Sequence, residues 1–307
     1  MEKILEVSGL TKIKNKRKLV DNVSFSVDAG EVFGLVGPNG SGKTSTFRMI
    51  LGLSRITEGE VFVCGHSIKS RFETAMQHIG GMTDNFKFYR NMSGMDNLQH
   101  LAGLRCPKGV AQEEIDRIVA LMGLQKRITD KVKTYSLGMC QRLGLAQAML
   151  HNPRLLLLDE PTNGLDPQGI KELRKIITDY VLEYSAAVVI SSHLLSEVEM
   201  LCDRVAIMSN GKIADMRSTE NEQRTDTGTV YRFTLSNVQG ALALLKGQYP
   251  IQSVGEDYID IVVDKNEANM VMLMLINCNI MIENMQAVEK TLEDVFMEAT
   301  GGESQIE

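Results

Sequence analysis

The segment Gly37 to Thr44, GPNGSGKT, has the residue types and spacing that hold a chain of phosphates. It fits the pattern G-x-x-x-x-G-K-[ST] at every fixed position. Glycines let successive backbone N–H groups turn toward one concavity, and a helix beginning at Lys43 adds the positive end of its dipole. Lys43 supplies a point charge for the β- and γ-phosphates, and the Thr44 hydroxyl is a ligand for Mg²⁺. The predicted nucleoside triphosphate site comprises Gly37, Pro38, Asn39, Gly40, Ser41, Gly42, Lys43, Thr44 and Ser45.

A glycine-rich turn that only caps a helix is the alternative explanation of this segment. The flanking sequence argues against it, because an apolar strand at 31–36 precedes the loop and a helix pattern runs from Lys43 to Leu51. Strand, loop and helix in that order are the context that the pattern requires.

A pair of carboxylates closes a second apolar run. Leu155 to Leu158 predicts a buried strand, and Asp159 and Glu160 follow it directly. Successive side chains of a strand point in opposite directions, so the two carboxylates are expected to have different roles. Asp159 is suited to hold the Mg²⁺ shell, and Glu160 is suited to act as a base or to position water at the γ-phosphate. Alone, the pair would also fit an exposed turn.

Two further segments carry polar residues at the ends of elements. Ser136 precedes a predicted helix that runs to about Leu150, and it is a natural N-cap. His193 follows a predicted strand at 187–190. A lone histidine after a strand is more often structural than catalytic, so its order relative to the other motifs decides its interpretation.

In order and spacing, these motifs resemble those of the ATP-binding subunits of ABC transporters over residues 1 to about 215. The resemblance implies ATP and Mg²⁺ as cofactors and two subunits paired head to tail, so that the signature motif of one covers the ATP of the other. It implies Glu160 and His193 for catalysis, Thr44, Asp159 and Asp84 for the metal, Ser136, Gly138 and Gln141 for the partner's ATP, and Asp166 in the D-loop.

A narrower resemblance rests on the signature form YSLGM, the tail LEDVF-E-TGG and a single ATPase unit in the chain. These features resemble the bacitracin, lantibiotic-immunity and drug-resistance group of exporters. The group implies a separate integral membrane permease as partner, a homodimer or a heterodimer with a paralogue, and a peripheral location at the cytoplasmic face of a bacterial membrane.

The chain departs from the family pattern at three places. Leu137 replaces the first glycine of the signature, which is acceptable where the backbone does not need a positive φ. Ile13 and Lys14 stand where an aromatic usually stacks on adenine, and Asp84 stands where the family has glutamine. A carboxylate beside Mg²⁺ and phosphates must bind the metal shell or turn away.

Bulk properties exclude several classes of protein. The 307 residues carry a net charge of −6, which disfavours nucleic-acid binding. The five cysteines are scattered along the sequence and form no C-x-x-C pair, as expected of reduced thiols. No signal peptide and no run of about 18 apolar residues occurs. The one basic run, Lys12 to Lys18, is expected to be a solvated loop.

The elements that must position these motifs form two predicted domains. Residues 1–217 alternate strands and helices, as in an α/β P-loop NTPase (ABC ATPase) with a mainly parallel sheet and a helical subdomain at about 85–152. Residues 218–228 form a polar linker. Residues 229–307 form a small α+β domain whose order β-α-β-β-α-β is that of a ferredoxin-like fold.

Two other functions compete with transport. One is a soluble ABC-type ATPase in DNA repair, translation or iron–sulfur assembly. The absence of sustained heptads and of a second ATPase unit argues against its repair and translation forms. The other is a regulatory module without hydrolysis, which the presence of Lys43, Glu160 and His193 disfavours.

Overall fold

The computed structural model of the chain describes residues 2–83, 87–105, 110–219, 229–288, 294 and 296–297. The predictions for Asp84, for residues 220–228 of the linker and for most of the tail motif lie outside the described residues. The described chain divides into two compact units, one that includes residues 2–219 and one that includes residues 229–288.

The first unit contains two sheets. Its strands are β1 (Lys3–Lys14), β2 (Arg17–Asp28), β3 (Val32–Val36), β4 (Glu58–Val63), β5 (His66–Ser67), β6 (Ile79–Met82), β7 (Leu155–Asp159), β8 (Ala187–Ser192), β9 (Arg204–Ser209) and β10 (Lys212–Ser218). The central sheet has the order β10-β9-β3-β8-β7-β6 and is parallel except at β10. Every residue of β3, β7 and β8 is buried, as expected of central parallel strands. The predicted mainly parallel sheet is therefore present.

Some predicted element ends differ from those of the structure. Strand β8 continues through Ser192, whereas its apolar pattern ended at Ile190. Ser218, placed in the linker from its sequence, pairs with Arg204 as the last residue of β10. Both strands extend through polar residues because sheet pairing binds the backbone regardless of side-chain polarity.

The second sheet, β2-β1-β4-β5, is antiparallel and corrects the interpretation of the basic run. Lys12 to Lys18 was expected to be a loop, but β1 and β2 pair as far as Lys14 and Arg17. Asn15 and Lys16 alone form the turn, with φ values of 50° and 63°. Two residues at positive φ match the twist of a tight hairpin, so the strands continue almost to its tip.

The helices of the first unit are α1 (Lys43–Ile50), α2 (Phe72–Gln77), α3 (Gly94–Arg105), α4 (Gln112–Leu121), α5 (Leu137–Met149), α6 (Pro167–Tyr184) and α7 (Leu195–Leu201), with a short 3₁₀ turn at Val132–Thr134. Between β6 and β7 the described elements are all helical, within the range predicted for a helical subdomain. The buried face of α4 carries Ile115, Ile118 and Val119, as its periodicity predicted. No helix of the described residues is long and apolar enough to cross a bilayer.

The second unit has the predicted order β-α-β-β-α-β. Its elements are β11 (Thr229–Leu235), α8 (Val238–Leu245), β12 (Ile251–Val254), β13 (Tyr258–Val263), α9 (Lys265–Asn277) and β14 (Ile282–Ala287). The sheet order is β12-β13-β11-β14, and all neighbours are antiparallel. Phe233, Ile261 and Leu275 are fully buried between the sheet and its helices, so this unit has its own apolar core.

Candidate active site

Three parallel strands end side by side at the candidate site. Strand β8 lies between β3 and β7, with Val36 opposite Ser192 and Asp159 opposite Ser191. The Gly37 N–H donates to the Ser192 carbonyl at 3.3 Å. The phosphate loop, the acidic pair and His193 therefore begin at one edge of the sheet. Ligands of open α/β sheets bind at this edge, beyond the carboxyl ends of the strands.

The loop after β3 has a backbone that requires glycine at two positions. Gly42 is the N-cap of α1 and has a φ of 112°. A Cβ on Gly37 would lie 2.3 Å from the Met208 carbonyl oxygen. Ser41 is buried beside Gly37, and its Oγ has no hydrogen-bond partner within the described residues. A buried hydroxyl in a loop that opens a helix fits a phosphate oxygen.

Lys43 is held inside the loop rather than in solvent. It is 5% exposed, and its Nζ donates to the carbonyl oxygen of Gly37 at 2.6 Å and lies 3.6 Å from Glu160 Oε1. Burial lowers the pKa of Lys43 below its ordinary value, although the carboxylates of Glu160 and Asp159 oppose this shift. A desolvated ammonium beside the loop is suited to bind the more highly charged oxygens of a phosphate.

Two oxygen donors fit the predicted metal. Thr44 Oγ1 lies 3.5 Å from Asp159 Oδ1, and the Ser191 hydroxyl donates to the same Oδ1 at 2.6 Å. The described residues contain no cluster of three acidic, histidine or cysteine side chains that could hold a metal alone. This donor set fits Mg²⁺, which keeps several waters and is bound through one or two protein oxygens together with substrate phosphates.

Glu160 and His193 form a pair beside Lys43. His193 Nδ1 lies 2.8 Å from Glu160 Oε2, and Lys43 approaches the other carboxylate oxygen. Glu160 has a φ of 50°, which costs a non-glycine residue about 1 kcal/mol. Its N–H donates to Ser191 Oγ at 2.9 Å, so the surrounding bonds hold the strained backbone in place.

Four positioning residues at this edge were missed in the sequence. Ser191 bonds Asp159 and the Glu160 backbone, whereas Ser192 donates to Glu197 at 2.9 Å. Glu197 also accepts a hydrogen bond from the Thr162 hydroxyl. The available signal was the pair of serines that ends the apolar strand before His193. The bond between Thr162 and Glu197 had no local signal, because it joins residues 35 positions apart in the chain.

We expect Ser191→Ala to lower ATPase activity by about 10- to 100-fold, the range typical of groups that orient metal ligands. The substitution removes the bond to Asp159 and one acceptor of the Glu160 N–H. The Mg²⁺ concentration for half-maximal activity should rise. Titrating activity with Mg²⁺ at saturating ATP measures this, with Ser209→Ala in β9 as the control. An unchanged Mg²⁺ requirement would contradict this role of Ser191.

The signature segment begins helix α5. Ser136 is its N-cap, and its Oγ accepts the Met139 N–H at 3.3 Å. Leu137 is the first helical residue, so this position does not need the glycine that the family pattern has. Ser136 is exposed and Gly138 half-buried, whereas Gln141 is 6% exposed and donates through Nε2 to the Asn163 carbonyl. Ser136 is thus at the protein surface, but Gln141 binds within its own protomer.

Asp166 has a structural role besides its predicted place in the D-loop. It is the N-cap of α6, and its Oδ1 accepts the Gly169 N–H at 2.8 Å. Pro167 follows at the first helical position, which favours the same helix start. The loop of residues 163–165 therefore lies between Glu160 and the start of α6, which the Asp166 cap holds in place.

A glycine loop at a helix start, an adjacent acidic pair and a histidine at one sheet edge define a P-loop ATPase. Residues 20–163 match the family described as ABC transporter. The chain is 45% identical over 301 residues to the uncharacterized ABC transporter ATP-binding protein YhcH of Bacillus subtilis strain 168, covering 98% of this chain and 97% of that protein. It is 34% identical to the bacitracin transport ATP-binding protein BcrA of Bacillus licheniformis, covering 98% and 99%.

A solved structure of the ATP-binding subunit of an ABC transporter aligns with a TM-score of 0.63 and 27% identity, over 70% of this chain and 90% of that chain. The chain therefore belongs to the ATP-binding proteins of ABC transporters. It binds and hydrolyses ATP, and the resemblance inferred from its motifs is confirmed. Membership favours transport over a soluble ATPase outside transport.

Proposed function

We propose that the chain is the ATPase subunit of a bacterial exporter and works as a dimer on the cytoplasmic face of a separate membrane permease. The observation that supports the dimer is the exposure of Ser136, the N-cap of the signature helix α5, which is termed the signature cap. Ser136 lies at the surface with its hydrogen bonds inside α5, whereas Lys43 and Glu160 meet at the sheet edge. A second protomer, of this chain or of a paralogue, supplies its own Ser136 and Gly138 to the nucleotide.

The residues at the sheet edge divide the work of hydrolysis. The N–H groups of the loop and Lys43 bind the β- and γ-phosphates. Mg²⁺ held by Thr44 Oγ1 and Asp159 would neutralise charge on those phosphates. Glu160 accepts a proton from the attacking water, and His193 holds the Glu160 carboxylate through its Nδ1.

Lys43 links nucleotide binding to the release of the base. Its Nζ lies 3.6 Å from Glu160 Oε1, so the carboxylate and an incoming γ-phosphate compete for one ammonium. Phosphate oxygens carry more negative charge and bind Lys43 in preference. Glu160 is then released from Lys43 and is free to orient the attacking water when ATP has bound.

The segment between β6 and α3 supports a docking role toward the permease. Asn97 is fully buried, and its amide accepts the Tyr89 N–H at 2.8 Å and donates to the Tyr89 carbonyl at 3.2 Å. Tyr89 is thereby held with half of its surface exposed. A fixed exposed aromatic is the kind of anchor found at protein interfaces. We place the permease contact in the region 84–97, of which the structure describes 87–97.

The transported molecule is proposed from the relatives. The similarity over nearly the whole chain to a bacitracin transport protein supports export of a drug, an antimicrobial peptide or a similar substrate. Deletion of the gene in its own bacterium should lower the inhibitory concentration of bacitracin or a lantibiotic and leave that of an unrelated antibiotic unchanged. The wild-type gene should restore resistance, and Glu160→Gln at equal abundance should not.

A matched carboxylate controls this experiment. Glu183→Gln changes a half-exposed residue of α6 that pairs with Arg117, and it should restore resistance fully. Deletion of the gene that encodes the proposed permease should produce the same sensitivity, with no further loss in the double deletion. Unchanged resistance to every peptide antibiotic and drug tested would overturn the exporter proposal, while ATP hydrolysis by the purified protein would be unaffected.

A further inference from the structure

Two contacts join the start of α5 to the loop of residues 163–165, and together they are termed the helix–loop contact. Leu137 lies directly against Gly164, because a Cβ on Gly164 would be 2.3 Å from Leu137 Cδ2. The Gln141 amide donates to the Asn163 carbonyl from one turn further along the helix. The fit is specific, since a leucine occupies the space that any side chain at Gly164 would need.

Leu137 has little role in the core. It is 55% exposed at the first position of a helix, next to the exposed cap Ser136. A leucine so placed contributes only part of the free energy of a buried one, because much of its surface stays in water. Its contact with Gly164 is the interaction that distinguishes it from a residue needed only to begin the helix.

The loop of residues 163–165 is bound in turn to the catalytic residue. The Asn163 N–H donates to the Glu160 carbonyl at 3.2 Å, and the Leu165 N–H donates to the Thr162 carbonyl at 3.0 Å. Thr162 is buried, and its hydroxyl bonds Glu197. A displacement of this tight turn therefore reaches the backbone of Glu160, which is strained at a φ of 50°.

We infer that Leu137 is a positioning residue that couples the signature cap of a protomer to the Glu160 of that same protomer. The inference rests on the proposed dimer, in which Ser136 contacts the partner's nucleotide. When that contact forms, α5 moves Leu137, Leu137 moves the turn at Gly164, and the turn sets the Glu160 carboxylate. Closure over one ATP thus prepares the base for the other.

A cycle of substitutions tests the contact. Leu137→Ala should lower kcat by about 3- to 10-fold, the range of coupled neighbours, with the KM for ATP unchanged because the phosphate loop is intact. Gly164→Ala should lower kcat further, because its methyl group meets Leu137 and its φ of 73° is unfavourable. The double variant keeps the φ strain but has no clash, so its kcat should be higher than that of Gly164→Ala and the two losses should not multiply.

Controls separate this role from general destabilisation. Leu137→Met reaches Gly164 with a similar volume and should keep kcat within about 2-fold of wild type, since such swaps preserve packing. Leu182→Ala removes a leucine of α6 that is 75% exposed and should change nothing. Thermal melting of each variant identifies any loss of folding. If Gly164→Ala does not fold, the Ala and Met variants of Leu137 still decide the question.

Independent effects, in which the double variant equals the product of the two single losses, would overturn the inference. So would full kcat in Leu137→Ala. Failure of the proposed dimer would give a different result, because the Glu160→Gln protein would then remain monomeric at saturating ATP. A nonadditive cycle in proteins that still form the dimer supports the role of Leu137.

Discussion

The Glu160→Gln protein should bind ATP, hydrolyse it at least about 100-fold more slowly than wild type, and accumulate as a dimer. An amide cannot accept the proton of the attacking water, but it keeps the size of the carboxylate. The substitution also removes the anion that lies 3.6 Å from Lys43 Nζ, so the ammonium is more available to the γ-phosphate. ATP binding should therefore be at least as tight as in the wild type. The closed dimer should persist, because the γ-phosphate that both protomers contact is not cleaved from ATP.

Phosphate release and light scattering after gel filtration measure the two effects on one preparation. Glu183→Gln, at a half-exposed position, is the control and should behave as wild type with ATP. Magnesium is included in every sample, with EDTA as a second control. A protein that remains monomeric at saturating ATP and Mg²⁺, despite the substitution, would contradict the composite site formed with a second protomer.

The second large effect is expected for Lys43→Met, which should weaken ATP binding by about 10- to 100-fold and abolish measurable hydrolysis. This is the range for losing a hydrogen bond to a charged group. A methionine fills the space of the lysine chain but has no donor for the phosphates. Isothermal titration measures the affinity, and Lys212→Ala, a 65% exposed lysine at the edge strand β10, is the control.

Free of nucleotide, the same variant should be at least as stable as wild type. Burial lowers the pKa of Lys43 even after the attraction of Glu160 is counted, so the charged form is less favourable in the folded than in the unfolded chain. This penalty is present at neutral pH and decreases as the pH rises through the folded pKa. The melting-temperature advantage of Lys43→Met should therefore shrink at high pH. An advantage that grows with pH would contradict burial of the ammonium as its cause.

Local patterns predicted the parts of the site that are built from one continuous segment. The phosphate loop was recognisable because its glycines, Lys43 and Thr44 act within one turn of chain. Ser136 was identified as a cap because its partner is the Met139 N–H, three residues away. Such contacts have short sequence separation, so the residues and their spacing are sufficient to identify them.

Predictions were poorer where strand pairing or a contact between separate segments decides the conformation. The basic run at 12–18 has the composition of a loop, yet β1 and β2 pair through it to a two-residue turn. The contact of Gln141 with the partner's ATP stays a prediction, but no local pattern indicated that its amide binds Asn163, 22 residues away in the same protomer. Neither partner of such a contact carries a sign of the other in its own segment.

By itself, the sequence predicted the chemistry, namely a phosphate loop, a carboxylate for magnesium, a base and a helix cap, and the order of these motifs identified an ATPase of ABC transporters. The tertiary structure decided how these groups are held. It placed Ser191 between Asp159 and Glu160, put Lys43 beside Glu160, and packed Leu137 onto Gly164. The reason is that motif chemistry depends on residue type and near spacing, whereas orientation depends on contacts that exist only after strands β3, β7 and β8 lie side by side.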